Sequence, residues 1–214
     1  MSPISLPIDD AAVVWSVPPD ELGSRPLVVL MHGRGSHERD LVALVPSLPA
    51  EPVYASLRAP IIDGDGWSWF LSGQPGAPDP ASAVAAARGV LDWLDRVAPS
   101  GPVSAVGFSQ GGAMATQLLR HAPERFASFV NLAGFIVEAA GAGIDERLAT
   151  GRKPVFWGRD PRDPIIPASA VERTLAWLPS HSELTVREYH GIGHSVSRQE
   201  VDDVGEFLAA TLLA

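Results

Sequence analysis

Pro102-Val103-Ser104-Ala105-Val106-Gly107-Phe108-Ser109-Gln110-Gly111-Gly112 is the stretch from which the rest of this 214-residue chain can be read. Its β-branched run up to Phe108 predicts a strand, and the small, apolar residues 110–121 predict a helix. Gly107-Phe108-Ser109-Gln110-Gly111 is therefore a G-x-S-x-G placed where a strand turns into a helix. In that setting the serine is forced onto a sharp turn, and its hydroxyl projects above the sheet. The positions two residues away on either side must be small, because the turn presses strand against helix. Gly107 and Gly111 meet that demand. A βα turn with a helix-capping serine would use the same letters, so the surrounding chain has to discriminate.

Moving outward, apolar runs recur at residues 25–31, 52–57, 126–132, 154–157 and 184–189. Segments of helical spacing lie between several of them, at 80–97, 110–121 and 169–178, and residues 200–213 close the chain. Continuous apolar strands alternating with helices predict an α/β fold: a mostly parallel central sheet with helices on both faces. Residues 11–17 predict an extra strand at one edge. With no repeat and no low-complexity linker, residues 1–214 read as one domain. The 20-residue connection 134–153 is too short for a large cap domain.

Composition removes several classes of function. Asp+Glu number 25 against Lys+Arg 16, and the net charge of −9 argues against nucleic acid or an anionic membrane face as partner. No cysteine is present, which excludes disulfides, thiolate metal sites and a cysteine nucleophile. The longest mostly apolar stretch, 126–144, contains Asn131, Glu138 and three glycines, and suits a buried strand and loop better than a membrane span. The opening residues MSPISLPIDD lack the basic, apolar pattern of a secretory signal. A soluble, cytoplasmic protein is expected, and the apolar face of the last helix leaves room for a homodimer.

A serine nucleophile needs a base, and the base needs a group to fix its tautomer. Of six histidines, His194 stands out, because it follows the last strand in the glycine loop Gly191-Ile192-Gly193-His194. Its competitor His190 abuts the strand end. The acid should lie between serine and histidine in the chain, and the loop after residues 154–157 offers Asp160 and Asp163. Asp163, directly before Pro164-Ile165-Ile166-Pro167, is preferred, with Asp160 as the alternative. Acyl transfer also needs two backbone N–H groups aimed at the oxyanion. Gln110, after the serine, supplies one, and Arg34 in Met31-His32-Gly33-Arg34-Gly35 supplies the other. His32, His37 and Glu38 form the nearest metal-like grouping but lack His-Glu-x-x-His spacing, so neither metal nor cofactor is expected.

These motifs, in this order, resemble the α/β-hydrolase fold and within it the phospholipase/carboxylesterase family that includes the acyl-protein thioesterases. That resemblance implies cofactor-free hydrolysis of carboxylic esters or thioesters by a Ser-Asp-His triad. A small-molecule ester of short-to-medium acyl length is the expected substrate. A thioesterase or lysophospholipase is the alternative, with a non-catalytic binding protein behind it. Trp67, Trp69 and Phe70, clustered in a glycine-rich loop, are candidates for lining the acyl pocket.

Overall fold

Alternating side chains on each apolar run face two separate cores, and this alternation is what sandwiches the sheet between helices. The computed structural model describes residues 4–74, 77–138, 148 and 151–213. In chain order its strands are β1 (Val14–Trp15), β2 (Leu27–Met31) and β3 (Val53–Leu57), then a hairpin of β4 (Ile61–Asp63) and β5 (Gly66–Ser68). A ribbon of β6 (Ser72–Gln74) and β7 (Ala77–Pro78) follows. The main sheet resumes with β8 (Val103–Phe108), β9 (Ser128–Leu132), β10 (Lys153–Arg159) and β11 (Ser182–Glu188). The helices are α1 (Pro80–Val97), α2 (Gln110–His121), α3 (Ala168–His181) and α4 (Arg198–Leu212).

Seven strands form the main sheet in the order β1-β3-β2-β8-β9-β10-β11. β1 runs antiparallel to β3 and all other neighbours are parallel. Leu27, Val29 and Met31 of β2 pack into one core with Val90 of α1, Met114 of α2 and Leu178 of α3. Val28 and Leu30 pack into the other with Val204 and Leu208 of α4. The predicted α/β architecture is thus present, with no cap domain among the described residues. Residues 139–147 and 149–150, the middle of the connection read as too short for a cap, lie outside the described residues.

Three sequence expectations need correction. The edge strand predicted over residues 11–17 is only the two residues of β1, because Asp10–Ala12 coil into a 3-10 turn capped by Asp9. Helix α3 runs on to His181, with Pro179 inside its last turn, and β11 starts at once. Residues 66–70 are not all irregular loop. Gly64, at φ 64°, turns the chain so that Ile61↔Ser68 and Ile62↔Trp67 pair as a hairpin. The Asp-Gly-Asp-Gly sequence at 63–66 is a local hairpin signal.

The sheet has a topological switch between β2 and β8, since β3 lies on one side of β2 and β8 on the other. In open parallel sheets such a switch opens a crevice beyond the carboxyl ends of the strands. Here those ends carry His32-Gly33-Arg34-Gly35 and Ser109. Strand and helix meet there without room for a β-carbon: one on Gly111 would run into the carbonyl oxygens of Met31 and His32. Gly111→Ala is accordingly expected to lose about 1–3 kcal/mol through overpacking against main chain that cannot relax, measured by urea unfolding.

Candidate active site

Ser109 sits at the junction of β8 and α2 with φ 55° and ψ −112°, a conformation L-residues rarely adopt. Holding it costs about 1–3 kcal/mol, sustained by the surrounding structure. Gly107 and Gly111 are pressed together so closely that a β-carbon on Gly107 would strike the Gly111 carbonyl. The Ser109 N–H donates to the Leu132 carbonyl at 2.8 Å, which ties the turn to β9. The requirement that G-x-S-x-G places on its glycines is thus met in backbone contacts.

His194 comes from the loop between β11 and α4, where Gly191 and Gly193 adopt φ of 84° and 64°. Its Nε2 lies 2.9 Å from Ser109 Oγ and its Nδ1 lies 2.6 Å from Asp163 Oδ2. With Nδ1 donating to the carboxylate, Nε2 is left to accept the serine hydroxyl proton. The other Asp163 oxygen accepts the N–H groups of Ile165, at 2.7 Å, and Ile166, at 3.3 Å. The Phe108 ring lies against the imidazole, centroids 5.0 Å apart, a contact the sequence reading missed.

Asp160 and Asp163, between which the sequence could not decide, have different partners. Asp160 is buried and accepts the N–H of Arg162 at 2.9 Å and of Gly193 at 2.8 Å. Asp163 orients the ring, whereas Asp160 anchors the main chain beside it. These amide donors hold the Asp160 carboxyl below the usual carboxylate range. His190, the alternative base, is exposed at the end of the strand.

The loop after β2, which carries Arg34, lies beside Ser109. A β-carbon on Gly33 would stand 3.6 Å from that of Ser109, so the Gly33-Arg34 main chain passes directly beside the serine. His32 is fully buried and pinned there. Its Nε2 accepts the Ala59 N–H at 3.1 Å, which requires Nδ1 to carry the proton it shares with the Gly33 carbonyl at 2.7 Å. Burial lowers its pKa and keeps it neutral. No group of three or more His, Cys, Asp or Glu able to hold a metal occurs among the described residues.

Two of the three pocket candidates are misassigned. Trp69 is 0% exposed and Phe70 1%, so both are closed inside the core and offer a substrate no surface. The cluster of aromatics packs the hairpin onto the sheet, as large apolar side chains generally do. Trp67 alone is partly exposed, with the Arg58 guanidinium 4.2 Å from its ring centroid.

A serine, histidine and aspartate joined by hydrogen bonds at the carboxyl edge of a parallel sheet define an α/β-hydrolase. The comparisons agree. The structure superposes on the Bacillus cereus carboxylesterase with a TM-score of 0.78 over 93% of each chain at 22% identity. Acyl-protein thioesterase 1 of Kluyveromyces lactis is 26% identical over 211 residues, covering 87% of this chain and 92% of that one. NocK of Nocardia uniformis subsp. tsuyamanensis, provisionally named an esterase, is 31% identical over 160 residues; the match takes in 73% of this chain but only 45% of that longer protein. Residues 85–212 match the phospholipase/carboxylesterase family. The chain belongs to that family and is an enzyme, a serine hydrolase of the esterase/thioesterase type.

One buried acid behind this loop behaves oppositely to Asp160. Glu200, 1% exposed on the first turn of α4, has its carboxyl pushed up to about 7 by burial against Gly158. A raised folded-state value means that stability is retained below the unfolded value of about 4.5 and lost as pH rises toward 7. For Asp160 the value is depressed, so its contribution is present above pH ~4 and lost in acid. Glu200→Gln is therefore expected to gain on the wild type between pH 5 and pH 8, by at most about 3 kcal/mol, whereas the gap between the wild type and Asp160→Asn should narrow below pH ~4. Urea unfolding followed from below pH ~4 up to pH ~8 checks both.

Proposed function

We propose that this enzyme hydrolyses short-to-medium acyl carboxylic esters through a covalent acyl-enzyme on Ser109. Ser109 Oγ attacks the acyl carbonyl while His194 Nε2 takes its proton, and Asp163 stabilises the resulting imidazolium. The N–H groups of Gln110 and Arg34 receive the oxyanion. Gln110 opens α2, so its amide has no partner within the helix and lies at the positive end of the dipole. Collapse of the tetrahedral intermediate expels the alkoxide, which leaves with the proton from His194. Water then attacks the acyl-enzyme, giving His194 a proton that returns to Ser109 as the acid departs.

The observation that carries this reading is the unbroken run of hydrogen bonds from Asp163 through His194 to Ser109. That the serine's backbone is held in a strained turn rather than relaxed supports it further. The K. lactis relative's name favours a second reading, thioester hydrolysis by the same steps with a thiolate leaving group. Neither reading requires a cofactor, and both leave a small-molecule acyl compound as the partner.

Hydrolysis of p-nitrophenyl esters from acetyl to palmitoyl, alongside an acyl-thioester, tests the proposal. Ser109→Ala should abolish turnover with the fold unchanged, and Asp163→Asn should lower kcat by about 10³–10⁴ through loss of the correct imidazole tautomer. Asp160→Asn should cost far less. If Asp160→Asn and Asp163→Asn exchanged these magnitudes, the assignment of the acid would be wrong.

A further inference from the structure

We propose that the Gln110 side chain is a positioning residue that sets the distance between the two oxyanion amides, acting through residues 66–70 as a brace. The inference rests on the oxyanion assignment above and concerns a side chain, where that assignment concerns main chain. Gln110 is 3% exposed, and both ends of its amide are used. Oε1 accepts the Trp69 N–H at 2.7 Å and Nε2 donates to the Phe70 carbonyl at 2.8 Å. The side chain thereby bonds the hairpin's exit as a neighbouring strand would. Its loss would leave an N–H and a C=O unpaired in the core.

The braced segment then grips the loop bearing Arg34 from both sides. On one side the Trp69 indole N–H donates to the His32 carbonyl at 2.8 Å, with the two rings 5.6 Å apart. On the other, the Trp67 carbonyl accepts the Gly35 N–H and the Trp67 N–H donates to the Ser36 carbonyl, both at 2.8 Å. Gly66 lies so close that a β-carbon there would enter the Gly35 carbonyl. Arg34 thus sits between two anchored points, and both anchors lead through residues 66–70 to the residue following the nucleophile. An oxyanion hole works because its donors are fixed before charge develops. This brace does the fixing, and it gives the fully buried Trp69 a role other than lining a pocket.

Gln110→Met keeps the side chain's length and removes both hydrogen bonds; Trp69→Phe keeps an aromatic ring and removes only the indole donor. Each is expected to lower kcat about 10- to 100-fold, the range for disturbing an oxyanion donor without deleting it. KM should stay within about threefold, because the loss falls on the transition state. Affinity for an alkyl trifluoromethyl ketone, which captures the serine as a tetrahedral adduct, should fall in parallel. In the double variant the loss should match the larger single loss, since both act through one brace. Gln110→Glu provides a further check. Its carboxyl, once protonated, donates to the Phe70 carbonyl, so activity relative to wild type should recover as pH falls. Amide hydrogen exchange supplies a readout independent of turnover: Gly35 should lose protection in Gln110→Met and keep it in Ser109→Ala. Losses confined to KM, losses that multiply in the double variant, or unchanged Gly35 protection would each overturn the brace. The exchange result decides it even if the wild type proves inactive on esters, which would instead count against the proposed function.

Discussion

The main-chain conformation of Ser109 is the constraint on which the rest of the structure depends. A serine at φ 55° and ψ −112° is held there against about 1–3 kcal/mol of strain by contacts no side chain could survive. Gly107 meets Gly111, Gly111 meets the end of β2, and Gly112 meets the Asn131 side chain. Each of these is a contact between consecutive neighbours in the sheet order β2-β8-β9 or the helix above them. The parallel register of the three strands and the seating of α2 are therefore a single packing problem with its tightest point at Ser109. Ser109 also stands where the chain reverses its direction of travel across the sheet, between β2 and β8.

Around that point the protein organises charge mainly with backbone dipoles. Despite a net charge of −9, neither Asp160 nor Asp163, both in the loop after β10, is paired with a Lys or Arg among the contacts described. Asp160 draws on main-chain amides of its own loop and of the histidine loop, and Asp163 divides its two oxygens between the imidazole and its own loop. Amide donors are fixed by the fold and are indifferent to salt, so the histidine is oriented by parts that do not rearrange as charge moves. His32, a second histidine a few residues from the site, is kept neutral by burial and serves only as a strut.

The aromatic segment shows how packing can be mistaken for a binding surface. Trp67, Trp69 and Phe70 stand in a glycine-rich stretch without periodicity, which in sequence suggests a pocket wall. In the fold two of them are core, and the segment is a hairpin locked to the loop beside the serine. What Trp69 contributes is an indole N–H to the His32 carbonyl, and that depends on a hydrogen bond spanning 37 positions in the chain.

The sequence by itself determined the α/β class and singled out Ser109 and His194, because each of these is written in short-range terms. Strand periodicity is local, the glycines of the elbow lie within five residues, and the chain order of serine, acid and histidine survives without coordinates. Only the tertiary structure separated Asp160 from Asp163. Both follow the same strand, three residues apart, and the choice turns on which carboxylate the loop curves toward His194, 31 positions further on. It also took the fold to reveal Gln110 as a latch and Phe108 as the face against the imidazole. Such roles arise when segments distant in sequence are brought within hydrogen-bonding or van der Waals range, a proximity that no local pattern of residues encodes.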